Sequence, residues 1–349
     1  MRPPGFEPGS LAWKAKVLGQ ARPRPRPSFK TFVGNIFIFR TLKRKGVYVL
    51  NLFDPWKGKL CTCPVKYSLS PYAGCSHSCL YCYITSYIPK GFDPRPKKDF
   101  IRRLRLDLKR ADRSLCVSMA NSSDPYQPLE EKMKLTREAL RLLVGSRFRV
   151  LIITKSSLVL RDLDILKAGG CAVSVTVTSL NEELARVLEP SSPPPAERVS
   201  ALKRLASNGI PCSARVDPVI PGLNDDLSEL DRLLGELSGA GVKHVVCSTY
   251  KARPDSLSRL TKAFPHLTRR LKELYLKLGE PVGNARYLPG GLRRGLLSRL
   301  KAMAEARGLT FSVCREGFKE LNSGGSCDGS HLTFFNKFKY EEAELLTAL

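Results

Sequence analysis

From Gly46 onward, short apolar runs rich in β-branched residues alternate with stretches whose apolar positions recur every three or four residues. That alternation predicts repeated βα units around a parallel sheet. Strands are expected near 66–72, 115–121, 149–155, 171–179, 211–220 and 243–250. Helices are expected near 95–111, 130–144, 158–168, 181–188 with 196–208, and 225–240. Six units fall short of a closed eight-fold barrel, so the predicted fold class is α/β, a partial (β/α)6 TIM-like barrel. The remainder from 254 reads as a mainly helical C-terminal extension, with Leu309–Cys314 as one further strand. No short repeat and no coiled-coil heptad interrupts the pattern. In the first helical stretch Ile101, Leu104, Leu108 and Ala111 share one face, and Arg102, Arg105, Lys109 and Arg113 another, as in a solvated amphipathic helix.

The first residues break the pattern. Up to Pro27 the chain is rich in Pro and Arg, with the tract Arg22-Pro23-Arg24-Pro25-Arg26-Pro27. The codons of Gly5-Phe6-Glu7-Pro8-Gly9 can spell GGG-TTC-GAA-CCC-GGG, the T-arm of a transfer RNA gene read as protein. Two expectations follow for residues 1–28: a mis-assigned start, with the protein beginning near or after Phe29, or a basic disordered arm. The predicted organisation is then an N-terminal segment over 29–65, a barrel core over 66–253 and the extension over 254–349.

Charge and cysteine usage narrow the function classes. The 349 residues carry a net charge of +26, and +20 remains after residue 30. Such an excess favours a phosphate-bearing partner, nucleic acid above all, although solvated helix faces produce the same composition. The longest apolar runs, such as Val150-Leu151-Ile152-Ile153, are far too short to span a bilayer, so no membrane role is expected. Eleven scattered cysteines in a long chain suit a reducing cytoplasm better than a disulfide framework.

Three of those cysteines lie in Gly74-Cys75-Ser76-His77-Ser78-Cys79-Leu80-Tyr81-Cys82, spaced C-x3-C-x2-C. Three thiolates on one loop can hold three irons of a [4Fe–4S] cluster and leave the fourth iron for a non-protein ligand. A zinc scaffold would need a second C-x2-C or an H-x3-5-H pair, and none follows. His77 reads as a solvent-facing loop residue, with metal ligation as the rival. Cys61, Cys63, Cys314 and Cys327 could hold a second cluster if the C-terminal segment folds back; separate thiols are the plainer expectation. Cys116, Cys171, Cys212 and Cys247 read as small core residues.

Polar residues cluster where the strands end: Ser123 and Asp124 after the second, Thr154-Lys155-Ser156 after the third. Ser174 and Thr176 lie on the fourth, and Arg215 with Asp217 on the fifth. In a parallel α/β sheet those ends converge on the binding site, and this mixture of charges suits a small zwitterion. Each residue also has a structural reading: Ser123 and Asp124 as a turn or helix cap, Lys155 and Arg215 as ion-paired barrel residues, Glu189-Pro190 as a helix end.

The cysteine loop, led in by Lys66-Tyr67-Ser68-Leu69-Ser70-Pro71-Tyr72-Ala73, resembles the radical S-adenosylmethionine (SAM) superfamily. Ser123-Asp124-Pro125-Tyr126-Gln127-Pro128, Thr154-Lys155-Ser156, Leu188-Glu189-Pro190 and Pro218-Val219-Ile220-Pro221-Gly222 make it most similar to the spore photoproduct lyase-related, DNA repair photolyase-like group, over about residues 60–330. The resemblance implies that Cys75, Cys79 and Cys82 ligate a [4Fe–4S] cluster and that SAM chelates its open iron. An electron from a donor such as ferredoxin or flavodoxin would then cleave SAM to a 5′-deoxyadenosyl radical, which abstracts hydrogen from a substrate. It also implies Tyr81 beside the adenine, Ser123 and Asp124 near the SAM amine, Lys155 and Arg215 at its carboxylate, and Ser174 and Glu189 at the ribose. The lyases carry a hydrogen-donating cysteine where Asn121 stands here, which argues against repair of a thymine dimer. The rival from another class is a nucleic-acid-binding Fe–S protein whose cluster is structural.

Overall fold

The strand pattern is realised as an eight-stranded sheet laid out in chain order. The computed structural model describes residues 49–53, 60–119 and 122–335. The predicted extension 1–28, most of the segment 29–65 and Asn121 lie outside them. The strands are β1 (Leu50–Leu52), β2 (Tyr67–Leu69), β3 (Val117–Met119), β4 (Val150–Thr154), β5 (Cys171–Thr176), β6 (Cys212–Val219), β7 (His244–Thr249) and β8 (Thr310–Val313). β1 runs antiparallel to β2. Every other neighbouring pair is parallel. β1 and β8 are the two edges, so this is an open barrel of the predicted partial kind. β1 was not anticipated: three residues are too few to show a period.

The sequence builds these elements for simple reasons. All six residues of β5 are buried, because a parallel strand is covered on both faces and therefore reads as a continuous apolar run. The principal helices are α1 (Phe100–Leu108), α2 (Leu135–Gly145), α3 (Pro195–Ser207), α4 (Leu227–Gly239), α5 (Pro254–Ala263) and α6 (Gly290–Glu305). In α4 the Asp226 carboxylate accepts the Glu229 amide at 3.0 Å and caps the first turn. Leu230, Leu233, Leu234 and Leu237 then form the buried stripe, each contributing about 1.5–3 kcal/mol.

Three expectations needed correction. The helix read over 130–144 breaks at Lys134, whose φ is +53°. The Glu130 carboxylate accepts the amides of Thr136 (2.9 Å) and Arg137 (3.2 Å), so the short helix Leu129–Met133 turns back to cap α2. The stretch 158–168 is a 3-10 turn, Ser157–Asp162, followed by one α-turn. The extension beyond 254 also holds a hairpin, Glu280–Val282 with Ala285–Tyr287. Its two-residue Gly283-Asn284 connection was the available signal.

Among the described residues no helix is long and apolar enough to cross a membrane. Cys116, Cys171, Cys212 and Cys247 are buried, as expected of core residues.

Candidate active site

The C-terminal ends of the parallel strands open onto a cavity of about 550 Å³. Cys75, Cys79 and Cys82 form one part of its wall; Ser122–Asp124, Ile153–Lys155, Thr176, Arg215, Asp217, Thr249–Lys251, Cys314 and Arg315 carry the wall around from β3 to β8.

The cysteine loop is held from several directions. Gly74 has φ +83°, and a Cβ there would lie 2.5 Å from the Asp93 carbonyl oxygen, so the loop can enter only through glycine. Cys75 N donates to the Gly91 carbonyl at 2.9 Å. Gln127 donates through Nε2 to the Gly74 carbonyl (3.1 Å) and accepts the Ser76 amide on Oε1 (2.9 Å). From α5, Arg259 donates to the carbonyls of Leu80 (3.0 Å) and Cys82 (2.6 Å). The Asp124–Gln127 stretch, part of the motif that marks the resemblance to the lyase-related group, thus clamps this loop. Gln127→Leu leaves a buried amide and carbonyl without partners, at a cost of about 1–3 kcal/mol. We expect it to lower iron retained per chain after gel filtration while far-UV circular dichroism stays unchanged. Full iron retention would show that the loop orders itself.

Electrostatics organise the middle of the wall. The Asp124 carboxylate accepts the Thr154 hydroxyl (2.6 Å) and Tyr126 amide (2.9 Å) on one oxygen, and the Lys155 amide (2.7 Å) on the other. His77 Nε2 stands 3.3 Å from that second oxygen. Burial alone would raise this carboxyl; His77, Thr154 and the Lys155 amide outweigh it and hold the pKa at about 2. The tie is therefore at full strength above the ordinary carboxylate range and is lost as pH falls from there towards 2. His77 is not solvent-facing, as expected from its place in the loop, but only 2% exposed; its Nδ1 lies 2.9 Å from the Ser191 carbonyl. A loop residue becomes buried here because the segment after Glu189 folds over it.

Burial pulls the Lys155 ammonium down, but Cys79 in its ionised form and the Glu189 carboxylate more than compensate and hold its pKa above the ordinary value. Its Nζ lies 5.6 Å from the Tyr81 ring centroid. The Tyr81 hydroxyl donates to Glu189. Glu189 is itself paired with Arg198 at 2.5 Å and is absent from the cavity wall. Ser174 lies beneath Thr176 on the same face of β5, fully buried. Arg215 reaches the wall paired with Asp217 at 2.6 Å. The structure thus brings Cys75, Cys79, Cys82, Tyr81, Ser123, Asp124, Lys155 and Arg215 to one cavity, and sets Glu189 and Ser174 behind it.

Sequence reasoning did not single out Lys251, Arg253, Arg315, Tyr83 or Tyr87, which also line the cavity. Lys251 and Arg253 follow β7 and Arg315 follows β8, so the strand-end rule could have found them. The Tyr83 and Tyr87 rings stack with centroids 5.9 Å apart, and Arg253 lies 6.0 Å over Tyr83.

The residues fit a cluster with one open corner. Burial pushes the Cys75 thiol up to about 12 and raises Cys79 and Cys82 as well, so these are protonated thiols that a metal must displace. Among the described residues no three His, Cys, Asp or Glu side chains converge as tightly as a single ion requires; a cube takes its thiolates at separate corners. The Ser123 hydroxyl, 2% exposed, has no hydrogen-bond partner among the described residues and belongs to the wall beside the triad.

Comparison with known proteins concerns the family and the fold. The radical SAM superfamily profile matches residues 69–234. An uncharacterized protein of Mycobacterium tuberculosis is 30% identical over 256 residues, covering 68% of this chain and 73% of that protein. The radical SAM Nalpha-GlyT isomerase of Pseudomonas phage M6 is 23% identical over 259 residues, 70% of this chain and 53% of that one. A spore photoproduct lyase variant solved with bound AdoMet and dinucleoside spore photoproduct superposes with a TM-score of 0.54 at 19% identity. That superposition covers 71% of this chain and 75% of the lyase, and it shows a shared fold.

Proposed function

This chain belongs to the radical SAM superfamily, and from that premise we propose that it abstracts hydrogen from a phosphate-bearing substrate, a nucleic acid or its nucleotide, in the reducing cytoplasm. The carrying observation is that one cavity holds both sets of groups: the three thiols with Tyr81, Ser123 and Lys155, and the cations Lys251, Arg253 and Arg315 with the stacked Tyr83 and Tyr87.

When bound, a [4Fe–4S] cluster on Cys75, Cys79 and Cys82, with SAM on its open iron and an electron from a ferredoxin or flavodoxin, supplies reductive C–S cleavage and a 5′-deoxyadenosyl radical. The chain's own residues bind and orient. Lys155 meets the SAM carboxylate with a charge-assisted hydrogen bond. The unpartnered Ser123 hydroxyl takes the amine, and Asp124 holds the Lys155 backbone amide in place while adding negative charge nearby. Tyr81 stands beside the adenine, its hydroxyl locked by Glu189. Thr176 is the strand-β5 hydroxyl at the wall and serves the ribose; Ser174 lies behind it on the same strand face. Arg215, paired with Asp217, is the second cation for the SAM carboxylate.

The same cavity suits a nucleic acid for two reasons. Lys251, Arg253 and Arg315 supply phosphate-seeking charge, and the tyrosine pair offers a platform on which a base can stack, worth about 1–3 kcal/mol. Anaerobic protein reconstituted with iron and sulfide, then reduced with dithionite in the presence of SAM, is expected to release 5′-deoxyadenosine. With perdeuterated oligonucleotides the released 5′-deoxyadenosine should carry deuterium. A reduced cluster that leaves SAM intact would overturn the enzyme reading in favour of a structural cluster. Cleavage without deuterium transfer from DNA or RNA would overturn the nucleic-acid substrate.

A further inference from the structure

Four cysteines outside the triad meet at the open side of the barrel. Cys61 and Cys63 precede β2, near one edge of the sheet; Cys314 follows β8, the other edge, and Cys327 follows it in the C-terminal loops. Chain folding nevertheless places them together. The Cys63 and Cys327 sulfurs are 3.4 Å apart, and Cys61 lies within electrostatic reach of Cys63. Cys314 lies within electrostatic reach of all three. The backbone closes the same seam: Gly317 N donates to the Leu60 carbonyl at 3.2 Å.

Buried cations stand against these sulfurs. Lys66, 2% exposed, has Nζ 3.8 Å from Cys63 Sγ and forms an ion pair with Asp328, the residue after Cys327. Arg215 lies within electrostatic reach of Cys314. Each cation has its own carboxylate partner, Asp328 for Lys66 and Asp217 for Arg215, and each also stands beside a cysteine sulfur, where it favours the thiolate form that a cluster takes as ligand. All four cysteines are free. Cys61, Cys63 and Cys314 line the same cavity as the triad. They do not converge tightly enough with a neighbour to enclose one ion, whereas a cluster collects its thiolates over a wider span.

We propose that Cys61, Cys63, Cys314 and Cys327 ligate a second [4Fe–4S] cluster that staples β1 and β2 to the segment after β8 across the open side of the barrel. All four corners are taken by protein, so this cluster binds no substrate; closed ligation is the mark of a structural or electron-carrying site. The proposal is independent of the radical chemistry at the triad.

Iron and sulfide counts test it on the full chain, reconstituted anaerobically. The expected count is about eight irons per chain in the unaltered protein and about four in a triad variant, Cys75→Ala/Cys79→Ala/Cys82→Ala, with a Mössbauer spectrum of a [4Fe–4S] cluster persisting in that variant. Cys61→Ala/Cys63→Ala should likewise halve the count; if that variant fails to fold, the triad variant still decides. About four irons in the unaltered chain and none in the triad variant overturn the second cluster and leave the first standing. Zinc in place of iron in the triad variant, or a Cys63–Cys327 disulfide in the iron-loaded protein, overturns it as well. About four irons in both proteins would support this cluster and count instead against the proposed function.

Discussion

Cys79→Ala is expected to bring 5′-deoxyadenosine production down to background, a loss of at least about three orders of magnitude. Cys79 lies at the centre of the loop, 5% exposed, between Cys75 and Cys82. Two remaining thiols cannot hold three irons, so the triad cluster is lost outright. The loop is otherwise anchored by Gln127, Arg259 and the Leu80–Leu188 backbone bond, none of which uses the Cys79 side chain. The fold should therefore survive, and melting of the iron-free protein should be little changed. Cys171→Ala is the control. That cysteine lies at the start of β5, at the opposite end of the strand from the cavity, and its replacement should leave SAM cleavage intact. Equal loss in both variants would mean that activity tracks general core damage, and the triad assignment would fall.

The second large effect concerns a buried pair that touches no ligand. Arg198 and Glu189 have side chains 1% and 0% exposed. Arg198 also donates to the carbonyls of Pro193 (2.7 Å) and Thr176 (3.2 Å), which ties α3 to the end of β5. Burial would raise the Glu189 carboxyl, but Arg198 and Lys155 prevail and hold it below the ordinary value. Arg198→Met removes the main compensation and leaves a buried carboxylate, a loss of about 3–5 kcal/mol. The pH dependence follows from the signs. In the unaltered protein the lowered pKa gives stability that is present above the ordinary carboxylate range and is lost only in acid. In the variant, burial dominates, the carboxyl is raised, and the penalty is greatest at neutral pH and relieved as pH falls. Urea midpoints should thus differ most near about pH 7 and converge towards about pH 5. Glu189→Gln/Arg198→Met should recover part of the loss. A gap that is flat with pH would exclude a charged Glu189 as its cause. Because Glu189 also fixes the Tyr81 hydroxyl, KM for SAM should rise more than kcat falls.

The legible part of this protein was whatever the chain states locally. The runs around Val150 and Cys171 announce buried parallel strands, because such strands have no polar face. The Cys75-Cys79-Cys82 spacing carries its chemistry on eight consecutive residues, so no folding is needed to recognise it. The breaks were less legible. Nothing in the spacing of 130–144 shows that Glu130 leaves the helix pattern to cap α2, since a glutamate there suits an exposed helix face equally well. His77 misled for the same reason: its neighbours are small and polar, and its burial comes from residues more than a hundred positions away.

By itself, then, the sequence determined the βα alternation, the cluster loop and the strand ends that carry polar side chains. Those are properties of neighbouring residues, governed by backbone period and ligand spacing. Only the tertiary structure decided that Glu189 supports Tyr81 from behind, that Lys251, Arg253 and Arg315 share a cavity with Lys155, and that Cys61 and Cys63 meet Cys314 and Cys327. Each of those contacts joins residues distant in the chain whose types leave several partners open. The choice among them is made when the open sheet curls and brings its two edges together, because buried charges and thiols must then find partners in the space that remains.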